Sequence, residues 1–209
     1  MKLFIIFISV LFLAGCTNNP VKNFAPPTEQ TKNERNPMTN NGEPPRQEKS
    51  PEKEHEPEPK TEVLGEFSTK LLDASKPRLR NIDIANKALN ETTVYSGDVF
   101  SFNDTVGRRT TDKGYMKAPI IIEHEKEMGI GGGICQISST LYNAALDAGL
   151  EIVERHQHSA EVGYVKLGQD AAVSYGSLDL KFKNNTPYPI HFQSGVGAQS
   201  IDIKILTVK

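Results

Sequence analysis

The chain has 209 residues, with 24 lysines and arginines against 26 aspartates and glutamates, and two cysteines. A net charge of −2 without a clustered basic face excludes the electrostatic footprint of a nucleic-acid binder. No apolar stretch approaches the roughly 20 residues of a membrane-spanning helix, and no internal repeat is visible.

Met1-Lys2 is a minimal positive start, and Leu3 to Leu13 is an apolar run without a charge. Residues 1–15 therefore read as a signal peptide rather than a permanent span. Leu13-Ala14-Gly15-Cys16 matches the lipobox of bacterial lipoproteins, in which the cysteine takes a diacylglyceryl group and becomes the mature N-terminus. Two acyl chains anchor stably where one binds marginally, so the expected location is the extracytoplasmic face of a bacterial cell membrane, lipid-anchored at Cys16.

Residues 16–62 comprise that cysteine and a linker holding most of the chain's 13 prolines, with interspersed charges and few apolar side chains. Such a segment cannot bury enough apolar surface to offset its ordering entropy, and it reads as a disordered stalk. At ~3.1 Å per residue in polyproline II, its full reach is on the order of 140 Å.

Residues 63–209 read as one domain of common size. Gly65–Leu72 is expected to open it as a strand. Lys76–Asn90 is a predicted helix, with Ser75 as candidate N-cap, Pro77 in its first turn, and Leu79, Ile82, Ala85, Ala88 and Leu89 on one face. Val99–Phe102 and Ala118–Ile122 are short predicted strands. Gln136–Ala148 is a second helix, burying Ile137, Leu141, Ala144, Ala145 and Ala148 and stopped by Gly149. Strands are expected at Glu151–Arg155, Val162–Val165, Ala171–Tyr175, Leu178–Phe182, Tyr188–Phe192 and Ile201–Val208, with a hairpin signal at Asn184-Asn185-Thr186-Pro187. The fold class is α+β: about two helices on a mainly antiparallel sheet.

The most informative stretch is Gly129-Ile130-Gly131-Gly132-Gly133-Ile134-Cys135-Gln136. Three consecutive glycines are poor material for a helix or strand, but suit a sharp turn or a close approach to ligand. Gly131, Gly132 and Gly133 are accordingly candidate binding residues. Cys135 falls at the predicted helix start, where free N–H groups and the helix dipole favour a thiolate. With Cys16 taken by lipid, Cys135 has no disulfide partner in its own chain. Free N–H groups near it, with the Gln136 amide, would serve as an oxyanion hole.

A cysteine nucleophile needs a base and a group that orients the base. In Glu154-Arg155-His156-Gln157-His158-Ser159, an extended strand would place His156 and His158 on one face. Asp170, after the Gly168 turn, is the preferred orienting carboxylate, and Asp179 the alternative. Arg155 and Asp179 are counted as candidate binding residues. His124, in a charged loop, and His191, on a late strand, are weaker candidates. Cys135, His156, His158 and Asp170 would also be acceptable zinc or copper ligands. No pair has CxxC or HExxH spacing, however, and no resident metal or cofactor is expected.

Together these segments resemble the VanW family of bacterial cell-envelope proteins. The resemblance runs from about Leu64 to Phe192. It rests on Gly97-Asp98-Val99-Phe100-Ser101-Phe102-Asn103, Gly114-Tyr115, Gly131-Gly132-Gly133-Ile134-Cys135-Gln136 and Ser139-Thr140-Leu141-Tyr142-Asn143. It continues through Glu154-Arg155, His158-Ser159, Tyr164-Val165, Gly168, Asp170-Ala171 and Asp179-Leu180-Lys181-Phe182-Lys183-Asn184. The pattern departs at Gln169, where a small or apolar residue is more usual. The resemblance implies an exported or membrane-linked protein and supplies no reaction. From the residues themselves come three readings: a cysteine-dependent acyl-transfer enzyme on peptidoglycan peptides, a non-catalytic module binding such peptides, and a metal-binding envelope protein.

Overall fold

The computed structural model describes residues 60–90, 92–122 and 125–209. The expected signal peptide, Cys16, the expected stalk up to residue 59 and His124 lie outside the described residues.

The described chain runs β1 (Thr61–Lys70), α1 (Lys76–Leu89), β2 (Thr93–Val94), β3 (Val99–Ser101), α2 (Phe102–Val106), β4 (Lys117–Ile122) and β5 (Glu125–Ile130). It continues through α3 (Ile134–Asp147), β6 (Glu151–Glu154), β7 (Lys181–Lys183), β8 (Ile190–Val196) and β9 (Ser200–Val208). All strand pairs are antiparallel. They form a four-stranded sheet in the order β1-β9-β8-β2, a three-stranded sheet β3-β7-β6 and the two-stranded pair β4-β5. The α+β class holds, with a five-residue third helix added to the two expected.

Period-two patterning explains the main sheet. Along β9, Ile201, Ile203 and Ile205 are buried while Asp202 and Lys204 face water. Each such burial is worth roughly 1.5–3 kcal/mol. Helices α1 and α3 pack on the buried side, α1 through Asn81, Ile82, Ala85 and Leu89, and α3 through Ile137, Leu141, Ala144 and Ala145. The β1 register shifts between Val63 and Gly65, where α3 crosses so closely that a Cβ on Gly65 would stand 2.3 Å from the Ala148 nitrogen. Phe100, Phe182 and Phe192 join the two larger sheets, with Phe100 stacked on Phe182 at 4.8 Å and edge-on to Phe192 at 5.0 Å.

Several expectations need correction. Ser75 precedes α1 but makes no side-chain cap. Ser101 is the working cap instead, accepting the Asp104 N–H at 3.1 Å to start α2. β5 was not expected, because its charged sequence hides a strand. Val162–Val165 is a loop folded tightly at Gly163, with the Tyr164 N–H on the Val162 carbonyl at 2.8 Å. Ala171–Tyr175 forms no strand beyond a single bridge between Ser174 and Leu178. Side chains of α3 and the His156 carbonyl satisfy its backbone, as described below. Asn184–Pro187 turns the chain between β7 and β8, yet these strands belong to different sheets and form no hairpin.

Candidate active site

The glycine run has a steric cause on both sides. Gly131 and Gly133 have φ of 84° and 108°, in the left-handed region that disfavours side chains. A Cβ on Gly132 would lie 2.6 Å from the Ala118 and Pro119 carbonyl oxygens of β4. Buried Asn81 fastens the loop, donating to the Gly132 carbonyl at 3.0 Å and the Met116 carbonyl at 2.9 Å while accepting the Met116 N–H at 2.8 Å. Gly131 and Gly133 line the cleft beside Cys135, whereas Gly132 is buried under β4. The run is therefore a tight turn first and a cleft wall second.

That turn delivers Cys135 into the first turn of α3, which begins at Ile134, two residues before the start the sequence pattern predicts. The Ile134 N–H closes on the Gly131 carbonyl at 3.2 Å and the Gln136 N–H on the Gly133 carbonyl at 3.1 Å. No backbone acceptor for the intervening Cys135 N–H is found among the described residues. The sulfur is half-buried and lies 3.5 Å from both the Val173 nitrogen and its carbonyl oxygen.

His158 is the histidine that shares the cleft with Cys135. Its imidazole biases the thiol toward ionisation, and its Nδ1 contacts Asp170 Oδ2 at 2.6 Å. With Nδ1 committed to the carboxylate, Nε2 is the nitrogen left for the sulfur. Asp170 Oδ2 also accepts the His158 backbone N–H at 2.6 Å, and Oδ1 accepts Arg155 Nη2 at 2.9 Å. Asp170 thus holds both the ring and the backbone of the base.

The support for Asp170 comes from α3. Ser138 Oγ donates to the Ala171 carbonyl at 2.6 Å, the Ala171 N–H donates to Ser139 Oγ at 2.9 Å, and Asn143 donates to the Gln169 carbonyl at 2.6 Å. The Ala172 N–H reaches the His156 carbonyl at 2.8 Å. One helix therefore carries Cys135 and also fixes the segment that holds His158.

The electrostatics follow this geometry. Burial works against a thiolate at Cys135, but the His158 hydrogen bond and charge, the Val173 N–H and Arg109 together bring its pKa below the ordinary thiol value. Burial likewise opposes an imidazolium at His158, and contacts with Cys135 and Asp170 outweigh it, raising the pKa. At Asp170 burial is outweighed by the His158 N–H, the imidazole and Arg155, so the carboxyl sits below its usual range. All three directions favour a thiolate–imidazolium pair backed by a carboxylate.

Other expected site residues have structural duties. Gln136 is 1% exposed and its amide donates to Thr69 Oγ1 at 3.2 Å and the Lys70 carbonyl at 3.0 Å, leaving no free donor for an oxyanion. His156 follows β6 outside any strand and turns to Glu154 at 2.9 Å, so the two histidines do not share a face. Arg155, expected to bind ligand, spends its guanidinium on the Gly168 and Asp170 carbonyls and the Asp170 carboxylate, above the Tyr142 ring. Asp179 accepts from Ser101 Oγ at 2.6 Å and from the Asn103 N–H at 2.9 Å, fixing the start of α2. His191 contacts Thr93 Oγ1 at 2.8 Å on the main sheet. No three metal-ligating side chains gather as a metal site among the described residues.

The cleft, of about 410 Å³, has walls that the sequence reading missed. Arg78, Arg108, Arg109, Tyr164 and Tyr175 all line it. Burial raises the pKa of the Tyr164 hydroxyl and keeps it neutral. Arg78 was legible in principle, since it occupies the same helical stripe as Ile82, Ala85 and Leu89, where a cation is out of place. Nothing local marks Arg109 or Tyr164, which only the tertiary fold brings to the sulfur.

Fold and site together define an α+β domain organised around a Cys–His–Asp constellation at a helix N-terminus. The chain belongs to the VanW family: the family model described as VanW like protein matches residues 77–206. It is 47% identical over 130 residues to the uncharacterized protein YoaR of Bacillus subtilis (strain 168), covering 62% of this chain and 43% of that one. It is 31% identical over 115 residues to the Vancomycin B-type resistance protein VanW of Enterococcus faecalis (strain ATCC 700802 / V583), covering 51% of this chain and 40% of that one. The chain thus spans less than half the length of these curated relatives. No solved structure matches it.

Proposed function

We propose that the domain is a cysteine-dependent acyl-transfer enzyme of the cell envelope, acting on amide bonds in peptidoglycan peptides from a lipid anchor at Cys16. The carrying observation is that Cys135 and His158 line one cleft, with His158 Nδ1 held by Asp170 at 2.6 Å. The envelope assignment draws on the signal and lipobox pattern, and on a relative whose name carries vancomycin resistance.

In this reading the Cys135 thiolate attacks the amide carbonyl carbon, forming a C–S bond while the carbonyl electron pair moves onto oxygen. The Cys135 N–H, left without a backbone acceptor among the described residues, is the donor assigned to that oxyanion. As the tetrahedral adduct collapses, the C–N bond breaks and the His158 imidazolium gives its proton to the departing amine. The thioester is then cleaved by water or by a second amine, deprotonated by the now neutral His158, which regenerates the pair. Hydrolysis and transpeptidation share every step except that last nucleophile.

The reading is tested by the rate of Cys135 alkylation with iodoacetamide across pH, alongside mass spectrometry of muropeptides from purified walls. The half-rise of alkylation is expected well below ~8.5, the ordinary thiol value, and higher in His158→Gln. Wall turnover is expected to vanish in Cys135→Ala and to fall by roughly 10²–10⁴-fold in His158→Gln. An alkylation profile that rises only near ~8.5, or muropeptides unchanged by active protein, overturns it.

A further inference from the structure

The charges in the Cys135 cleft are one-sided. Besides His158, its charged lining residues are Arg78 from α1 and Arg108 and Arg109 from the loop after α2. None of the three makes an ion pair among the described residues. The nearby carboxylates are engaged elsewhere, Asp170 with His158 and Arg155, and Asp179 with Ser101 and Asn103.

The arginines are held, yet incompletely satisfied. Arg109 Nη1 donates to Asn103 Oδ1 at 2.6 Å and the guanidinium lies 5.4 Å from the Phe102 ring centre, while Nη2 is buried without a partner. Arg78 Nη2 donates to Gln136 Oε1 at 2.8 Å, while Nε is buried without a partner. A buried donor left unpaired is costly, and two of them sit on cations beside one cleft. The glycine run makes room for both side chains: a Cβ on Gly131 would press the Arg109 stem at 3.1 Å, and one on Gly133 the Arg78 stem at 3.0 Å. The cleft lining also holds an aliphatic group, Pro119, Ile120 and Ile121 of β4 and Ile130 of β5.

We infer that Arg78 and Arg109 form a carboxylate-binding subsite, and that the acyl substrate of Cys135 is a peptide with a free carboxylate close to the bond attacked. This rests on the acyl-transfer reading for the word substrate, though the binding itself does not. A carboxylate offers the paired acceptor oxygens that a guanidinium fork matches, and no carboxylate of this chain pairs with either arginine among the described residues. The aliphatic wall accommodates a small apolar side chain beside it. Arg108, exposed and 5.8 Å from the Tyr175 ring centre, adds attraction at the mouth.

Two measurements test the subsite. In the first, Cys135 is alkylated at one pH with iodoacetate and with iodoacetamide, reagents that differ in charge but share the thiolate they consume. The rate ratio cancels the fraction of thiolate. It is expected to favour iodoacetate by about tenfold, the scale of one charge-assisted contact. It should fall toward one in Arg109→Gln, and in the intact protein as salt is raised to ~1 M. A wild-type ratio at or below one overturns the subsite.

In the second, Cys135→Ser is titrated with N-acetyl-dialanine, in L,L and D,D forms, as free acid and as C-terminal amide. At least one acid is expected to bind about tenfold more tightly than its amide. Equal binding of acid and amide, or none, overturns the proposal. The two readings fail separately. An ordinary iodoacetamide pH profile with acid-selective binding removes acyl transfer and keeps the subsite, whereas a reactive thiol with no acid preference does the reverse.

Discussion

Asp170 is the residue on which the site turns, because its two oxygens serve the His158 ring, the His158 backbone and Arg155 together. Asp170→Asn removes the charge while nearly keeping the shape. Without it His158 loses one of the influences that raise its pKa, less imidazolium faces the sulfur, and Cys135 moves back toward an ordinary thiol. Alkylation at neutral pH should then fall, by up to tenfold for each unit by which the thiol pKa rises. Stability carries the same signature. The folded pKa of Asp170 is depressed, so its contribution is complete above ~3.9 and is lost as pH falls through the folded value. Urea unfolding from pH 6 to pH 2 should show that acid limb in the wild type and a shallower one in Asp170→Asn. Identical limbs would remove Asp170 from the electrostatic account.

At the scale of elements, the turn entering α3 is set by backbone approach. Gly132→Ala would put a methyl 2.6 Å from β4 carbonyl oxygens that cannot swing aside. Overpacking of this kind typically costs 1–3 kcal/mol, and the strain would be taken up where Cys135 enters the helix. Gly195→Ala, on β8 with open space around it, should change stability little. Chemical denaturation of both variants checks the contrast; equal effects would contradict the steric account. The same region shows what the sequence could reveal. The glycine run and Cys135 were legible because unusual backbone demands leave unusual residues. His158 and Asp170 were legible as types, but their pairing was inferred from strands that do not exist. Residues 171–173 satisfy their polar groups on α3 side chains, the His156 carbonyl and the Cys135 sulfur, a tertiary solution that local patterning cannot encode. Gln136 misled for a related reason, since its position beside the nucleophile said nothing of Thr69 and Lys70 behind it.

For the whole molecule, no described helix is long and apolar enough to cross a membrane, and the proposed attachment is through Cys16. Expressed from its own signal in a bacterium, the protein should partition into detergent and incorporate labelled fatty acid. Cys16→Ser should do neither while retaining a reactive Cys135; lipid incorporation in Cys16→Ser would refute the anchor. The strand that opens the domain pairs along its length with the strand that closes it, and Lys60 and Lys209 exchange backbone hydrogen bonds at 3.1 Å in each direction. Entry and exit of the chain are therefore side by side. A domain with adjoining ends behaves as a plug-in unit: sequence can be added before it or after it, or it can interrupt a host chain, without reopening the core. Relatives more than twice as long as the segment they share with this chain are what such portability permits.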